Sequence, residues 1–136
     1  MDSESTSWDR VVDVVVIGSG GAALTAALSA ADGGASVVVL EKDDVIGGTT
    51  GVSGGVSWIP NNRHLIEAGL GDSRDDAIDY VRRISDGRAP DDSLIEVFVD
   101  TAPEMLDFLE AKTPLRTQAV TNLPDYYGPI LDRIPG

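Results

Sequence analysis

The sequence contains no cysteine, which excludes disulfide bonds, thiolate metal sites and a cysteine nucleophile. Only 10 of its 136 residues are lysine or arginine, against 23 aspartate and glutamate residues, and the formal net charge is -13. Because phosphate backbones and anionic lipids repel so acidic a chain, we expect neither a nucleic-acid partner nor binding to a membrane surface.

Long apolar runs are also missing, since none approaches the roughly 18 residues that a membrane-spanning helix needs. The first ten residues are polar and acidic, without the basic start and apolar centre of a signal peptide. We therefore expect a cytoplasmic protein with no membrane span. Its length is that of one domain, large enough for a hydrophobic core.

The first third of the sequence has the order strand, helix, strand. Residues 11–17 form a nearly continuous apolar run, typical of a parallel strand that is buried on both faces. Residues 22–31 are rich in alanine and lack proline, which predicts a helix. Residues 37–40 are again apolar and precede Glu41. The pattern predicts two parallel strands joined by a crossover helix.

The turn after the first predicted strand carries the dinucleotide fingerprint, with Gly18, Gly20 and Ala23 at its three positions. Gly18 allows the tight turn, Gly20 allows close approach of a pyrophosphate, and Ala23 allows close packing of helix and strand. Glu41 follows the second predicted strand, where a carboxylate can accept both hydroxyls of an adenosine ribose. The alternative is an ordinary glycine turn and a solvated carboxylate.

A second glycine- and hydroxyl-rich loop, residues 47–55, follows closely after Glu41. A nicotinamide-binding domain has no evident need for it. A two-nucleotide cofactor lying along the sheet does, because amides and hydroxyls must contact its pyrophosphate and its isoalloxazine ring. The alternative is a flexible linker, but Trp58 and the residues after it are expected to anchor the loop.

The remaining sequence predicts helices. Ser73 and Asp76 have the spacing of a capping box, Asp92 or Ser93 is expected to cap the next helix, and Pro103 is expected to break or restart it. The single histidine, His64, lies in a polar stretch, and we expect it to be exposed and without a catalytic role.

The runs IGSGGAALTAA, VVVLEK and GGTTGVSGGVSWIPNN together resemble flavoproteins of the fumarate reductase and succinate dehydrogenase superfamily, most closely the 3-ketosteroid Δ1-dehydrogenases. The resemblance implies FAD. Succinate dehydrogenases attach FAD through a histidine just before the corresponding glycine pair; this chain has none there, so the FAD is expected to be noncovalent. The residues that are implied to contact the cofactor are Gly18, Ser19, Gly20, Gly21, Ala22 and Ala23 at the first turn, Glu41 and Lys42 at the adenosine, and Gly48, Thr49, Thr50, Ser53, Gly54 and Gly55 towards the flavin.

Two adjacent phenols, Tyr126 and Tyr127, lie in a loop bounded by proline and glycine. On residue type alone, packed rings with solvated hydroxyls are favoured. The resemblance implies instead that Tyr126, with Tyr127 as the second choice, is an active-site tyrosine that assists the base when a ketosteroid-like substrate is dehydrogenated. In that family the base removes a proton and a hydride passes to flavin N5, and the principal base lies further downstream, so the chain is expected to be a fragment.

The sequence thus predicts an α/β fold, with a Rossmann-like FAD-binding βαβ unit and parallel sheet, a small helical insertion and an incomplete domain. Two alternatives remain open: a flavoprotein of the fumarate reductase type, and a noncatalytic nucleotide-binding fragment whose sheet edge pairs with another chain. The predicted segments are a polar tail at 1–10, the FAD-binding unit and glycine/threonine loop at 11–60, the helical insertion at 61–112, and a truncated extended segment with the Tyr-Tyr loop at 113–136.

Overall fold

The computed structural model of the protein describes residues 7–71, 73–89, 91–123 and 125–128. The chain divides into two units, Met1–Val56 and Ser57–Gly136, and each is described by itself. Among the described residues, no helix combines the length and the apolar character that are needed to cross a bilayer.

The first unit is built on two parallel strands, β1 (Val14–Ile17) and β2 (Val37–Leu40). Val14 pairs with Val37 and Ile17 with Leu40, so the strands are in register along their whole length. Helix α1 (Gly21–Asp32) connects the strands and packs against both. The predicted strand, helix and parallel strand are confirmed, although β1 begins three residues later than its apolar run.

The expectation that the first strand is buried on both faces is wrong, and the second strand is also partly exposed. Val16 is the buried residue of β1, whereas Ile17 is 85% exposed and Leu40 is 52% exposed. The reason is that α1 covers one face of the strand pair, and no second helix covers the other face among the described residues of this unit. The continuous β-branched run still favours a strand, because these side chains suit a pleated backbone.

The glycine/threonine loop contains a single helical turn, α2 (Gly48–Gly51), which the sequence pattern did not predict. Gly47 precedes this turn with a φ of 115°, in the left-handed region that favours glycine. A Cβ on Gly47 would lie 3.2 Å from the Cα of Gly51, so a side chain at the start of the turn would be tightly packed against its end.

The described residues of the second unit form three helices, α3 (Arg63–Glu67), α4 (Arg74–Ser85) and α5 (Asp92–Lys112). The predicted cap of α4 is confirmed: the Ser73 hydroxyl accepts a hydrogen bond from the Asp76 amide at 3.1 Å and donates to the Asp76 carboxylate at 2.7 Å. The core between α4 and α5 is small and entirely aliphatic. It consists of Ala77, Ile78, Ile95 and Val99.

Two predictions about α5 are wrong. Its N-cap is Asp91, whose carboxylate accepts the Ser93 amide at 2.8 Å, so the helix begins one residue earlier than expected. The helix also continues through Pro103, although proline cannot donate to the carbonyl of Val99 four residues earlier. Burial of Val99, Ala102 and Leu106 along one face offsets that missing hydrogen bond.

Besides the aliphatic core, three stacked aromatic rings hold parts of the second unit together. Trp58 stacks on Tyr80 of α4, with ring centroids 5.0 Å apart, and on Phe98 of α5 at 6.1 Å. Offset stacking of this kind adds to the area that the rings bury. The Trp58 ring therefore joins the segment before α3 to both long helices.

A buried carboxylate, Glu110, ties the end of α5 to its surroundings. Its side chain is 5% exposed and forms an ion pair with Arg63. It also lies 3.1 Å from Nε2 of His64 and accepts the amide and hydroxyl of Thr117 at 2.8 Å and 2.6 Å. One carboxylate thus connects α3, α5 and the segment that follows α5.

His64 is therefore not the exposed residue that the polar stretch predicted. Its side chain is 20% exposed and faces Glu110, 46 positions away in the sequence. Asn62 brings it there, because its side chain caps α3 by accepting the His64 and Leu65 amides. Sequence spacing could not indicate this pairing.

The Thr117 hydroxyl and then the Thr117 amide, with further help from His64 and Arg63, lower the pKa of Glu110 from 4.5 to about 2, against the effect of burial. A lowered carboxyl pKa stabilises the folded state above about pH 4.5, and this contribution is lost as pH falls through about 2. The variant Glu110→Gln should therefore unfold at lower urea concentration than the wild type at pH 6, and the difference should shrink towards pH 2.

Glu104→Gln is the matched control, because Glu104 is an exposed residue of the same helix. Its unfolding midpoint should follow that of the wild type across the pH range. If the difference in urea midpoint between Glu110→Gln and wild type stays constant from pH 6 to pH 2, the assigned role of the Glu110 charge is contradicted.

Candidate functional site

The glycine turn between β1 and α1 has the geometry that the fingerprint predicts. Gly18 has a φ of 91°, which side-chain-bearing residues rarely adopt, and its amide donates to the carbonyl of Leu40 at 2.7 Å. Gly20 is the N-cap residue of α1. The chain thus leaves β1, turns once and directs the N-terminus of α1 towards the carboxyl ends of both strands.

The N-terminus of α1 presents unpaired backbone donors. Within the described residues, the amides of Ala22 and Ala23 make no hydrogen bond, and the first turn carries no acidic side chain. A Cβ placed on Gly20 would meet nothing within 4 Å, so space remains open beside these amides. The amide of Gly21 is bound to the Thr50 hydroxyl at 3.1 Å. Such a helix end attracts an anion.

Glu41 follows β2 and lies beside the glycine turn. One carboxylate oxygen, Oε2, accepts the amide of Ser19 at 2.9 Å and its hydroxyl at 2.5 Å. The other, Oε1, accepts the amides of Lys42 and Asp43 at 2.8 Å and 3.1 Å. The Ser19 hydroxyl above all, and then the backbone amides, lower the pKa of Glu41, which is therefore an anion at neutral pH.

The second glycine loop packs directly on the first. The amide of Gly47 donates to the Ser19 hydroxyl at 2.9 Å. Gly48 has a φ of 52°, and a Cβ at this position would lie 3.2 Å from the Cα of Gly20. The two glycine-rich segments, 28 residues apart in sequence, therefore meet backbone to backbone.

The outer part of the second loop is exposed. The Ser53 hydroxyl donates to the carbonyl of Thr50 at 2.9 Å and accepts the Gly55 amide at 3.2 Å, which closes a small turn. Thr49, Gly54 and Lys42 are exposed as well. A shallow depression of about 210 Å³ adjoins this loop, smaller than the roughly 300–1,000 Å³ of typical small-molecule sites. Its lining residues are Asp43, Val45, Ile46, Gly48, Gly51 and Val52.

The Tyr-Tyr loop belongs to the second unit and is held by Asp125. The Asp125 carboxylate accepts the hydroxyl of Tyr80 at 2.9 Å and the amide of Tyr127 at 2.8 Å. Burial, and then the bond to Asp125, raise the pKa of Tyr80 to about 12. Tyr126, between the two tethered residues, is 83% exposed. The sequence pattern did not indicate the contact between Tyr80 and Asp125, although Asp-x-Tyr is a spacing that favours an Asx turn.

Residues 13–125 match the family described as FAD binding domain. This chain belongs to the FAD binding domain family. The match covers both glycine-rich segments, Glu41 and the helices of the second unit. The cofactor of the family is FAD, as the resemblance implied.

Curated relatives agree with this assignment. The chain is 49% identical over 114 residues to 4-oxocyclohexanecarboxylate 2-dehydrogenase of Sinomonas cyclohexanicum, a match that covers 84% of this chain and 20% of the relative. It is 44% identical over 115 residues to 3-oxosteroid 1-dehydrogenase of Mycolicibacterium smegmatis, covering 85% of this chain and 20% of that protein. The chain thus spans about a fifth of the length of the curated relatives it matches.

A solved structure shows the same fold. The chain superimposes on 3-ketosteroid Δ1-dehydrogenase of Sterolibacterium denitrificans in complex with 1,4-androstadiene-3,17-dione, with a TM-score of 0.67 and 40% identity. The similarity covers 74% of this chain and 17% of that enzyme. The α/β fold and the resemblance to 3-ketosteroid dehydrogenases are therefore confirmed.

The residues that are present fit FAD. The open space beside Gly20 and the free amides of Ala22 and Ala23 suit a pyrophosphate, and the ionised Glu41 suits a ribose.

The backbone contact between Gly48 and Gly20 generates a prediction. Gly48→Ala forces a side chain into the left-handed region and against the Gly20 backbone, so we expect unfolding to become easier by more than about 1 kcal/mol. Urea titration followed by circular dichroism measures this. Gly33→Ala is the control, because Gly33 lies in the same unit with a φ of -75° and has room for a Cβ. Equal effects of the two substitutions would contradict the proposed tight contact.

Proposed function

We propose that this chain provides the FAD-binding part of a flavin-dependent dehydrogenase that introduces a carbon-carbon double bond beside the ketone of a cyclic substrate. The observation that carries the proposal is the open α1 N-terminus facing an ionised Glu41, in a chain that belongs to the FAD binding domain family. The relatives at 44–49% identity are named as dehydrogenases of ring ketones, which supports the reaction class.

We assign the adenosine half of the cofactor to the first glycine turn. The amides of Gly20, Ala22 and Ala23 would bind the pyrophosphate at the positive end of α1. The Gly21 amide would also bind it once its hydrogen bond to the Thr50 hydroxyl is broken. Glu41 would accept the ribose hydroxyls, with Lys42 on the adenosine side. Gly18 and Ser19 shape the turn, and both donors of Ser19 serve Glu41.

The flavin half is assigned to the second loop, where hydroxyls and amides are exposed. The residues concerned are Gly48, Thr49, Thr50, Ser53, Gly54 and Gly55. We propose noncovalent attachment, because the single histidine, His64, is not adjacent to this loop in sequence and is bonded to Glu110.

Tyr126 is the proposed catalytic residue of this chain. Its phenol can both donate and accept a hydrogen bond, so its Oη can relay the proton that the base removes from the carbon next to the ketone. Bound FAD supplies the acceptor for the hydride that leaves the neighbouring carbon. Asp125 and Tyr80 hold the loop that carries Tyr126, and the exposure of Tyr126 leaves its hydroxyl available to a substrate.

Two classes of ring ketone are candidates for the substrate. A ketosteroid-like substrate is supported by the steroid dehydrogenases among the relatives and by the similar solved structure. A monocyclic 4-oxocyclohexanecarboxylate is supported by the relative at 49% identity. A direct comparison of a 3-oxosteroid with 4-oxocyclohexanecarboxylate, by reduction of a dye acceptor, separates them in the protein that carries this sequence.

Substitution of Tyr126 tests its chemical role. In the protein that carries this sequence, Tyr126→Phe should lower turnover of the preferred ketone by about 100-fold or more, because the relaying hydroxyl is lost. Flavin content, measured by absorbance, should stay at the wild-type level. Steady-state assays across pH provide the measurement.

Tyr127→Phe is the matched control, since Tyr127 is 46% exposed and is held through its backbone amide. It should retain turnover within a few-fold of wild type. Loss of turnover in Tyr127→Phe together with normal turnover in Tyr126→Phe would move the role to Tyr127. Normal turnover in both variants would overturn the tyrosine relay.

A further inference from the structure

Each end of the parallel strand pair is closed by a serine and a carboxylate. Before the strands, Ser36 donates its amide and hydroxyl to Asp13 at 2.8 Å and 2.6 Å, and the Asp13 amide returns a bond at 3.0 Å. After the strands, Ser19 donates its amide and hydroxyl to Glu41 at 2.9 Å and 2.5 Å. The chemistry of the two pairs is the same.

The two pairs differ in burial and in what else they touch. Ser36 and Asp13 are exposed, and their hydrogen bonds join only the two strand entries. Ser19 is 2% exposed, and its hydroxyl also accepts the amide of Gly47 at 2.9 Å. The Ser19 hydroxyl therefore connects the carboxylate after β2 to the start of the second glycine loop.

The Glu41 carboxylate is fully oriented by its own chain. Ser19 supplies two donors to Oε2, and the amides of Lys42 and Asp43 supply two to Oε1. A carboxylate offers about four lone-pair positions, so a ribose hydroxyl must share or replace one of these donors. Of these four donors, the Ser19 hydroxyl is the one that also accepts a hydrogen bond from the Gly47 amide.

We propose that Ser19 is a positioning residue for nucleotide binding: its buried hydroxyl fixes the Glu41 carboxylate relative to the Gly47 amide and so couples the adenosine half of the site to the flavin half. This inference rests on the proposed role of Glu41 as the ribose acceptor. Without the hydroxyl, Glu41 loses a charge-assisted bond and the Gly47 amide loses its acceptor.

The test is calorimetric titration of ADP into the 136-residue chain. Ser19→Ala should weaken ADP binding about tenfold, as expected for loss of one hydrogen bond to a charged group. Ser36→Ala, the matched control, removes the same hydroxyl-carboxylate bond at the opposite end of the strands and should stay within about twofold of wild type. Ser19→Thr keeps the hydroxyl and should retain most of the affinity.

A mutant cycle with Glu41→Gln shows whether Ser19 acts through Glu41. If it does, adding Ser19→Ala to Glu41→Gln should weaken ADP binding much less than Ser19→Ala does alone. Full additivity of the two substitutions, or equal losses in Ser19→Ala and Ser36→Ala, would overturn the inference, because either result indicates a general effect on folding.

Hydrogen exchange of the Gly47 amide in the empty chain is a second readout that needs no Ser19 variant. Glu41→Gln should speed this exchange several-fold by loosening the Ser19 hydroxyl, and Ser36→Ala should leave it unchanged. Unchanged exchange in Glu41→Gln would overturn the coupling. If the wild type binds no ADP, the proposed function fails, and the exchange experiment still decides whether Ser19 links Glu41 to Gly47.

Discussion

The first unit depends on a steric constraint: a Cβ on Gly48 would lie 3.2 Å from the Cα of Gly20, so a side chain there would force the backbone to shift. This contact brings the glycine/threonine loop onto the N-terminus of α1. Once the loop is there, the Thr50 hydroxyl reaches the Gly21 amide and the Gly47 amide reaches Ser19. The second loop thereby packs against the start of α1, and packing alone already favours glycine at Gly47 and Gly48.

Hydrogen bonds inside the first unit already occupy a donor and an acceptor that are proposed to bind the nucleotide. Thr50 occupies the amide of Gly21, and Ser19 with two amides surrounds Glu41. A nucleotide must therefore replace or share some of these bonds, whereas the bonds that orient Glu41 and hold the loops reduce the ordering that binding must otherwise impose.

Local sequence predicted the parts of the structure that local rules control. The βαβ unit followed from apolar runs and alanine content, the bounds of β2 were correct, and the Ser73 cap followed from its spacing. The prediction that Pro103 breaks the helix was wrong because packing of the apolar face of α5 against α4 outweighs the low helix propensity of proline. Strand burial was misjudged because it depends on how many helices cover the sheet, which periodicity does not show.

The sequence predicted the key positions of the candidate site but not the side-chain contacts around them. The fingerprint located Gly18, Gly20 and Glu41, because each has a backbone or charge requirement that sequence spacing records. It could not show that the Ser19 side chain is buried against Glu41, nor that His64 pairs with Glu110. Those contacts join residues 22 and 46 positions apart, and their geometry depends on tertiary packing.

The most direct test of the account is a titration of FAD into the purified 136-residue chain, followed by calorimetry and by flavin absorbance. We expect saturable binding of one FAD per chain that excess ADP displaces, because the residues proposed to bind the adenosine half are the N-terminus of α1 and Glu41. Absence of saturable binding in a chain that retains its helical circular dichroism would contradict the central claim that α1 and Glu41 hold the cofactor.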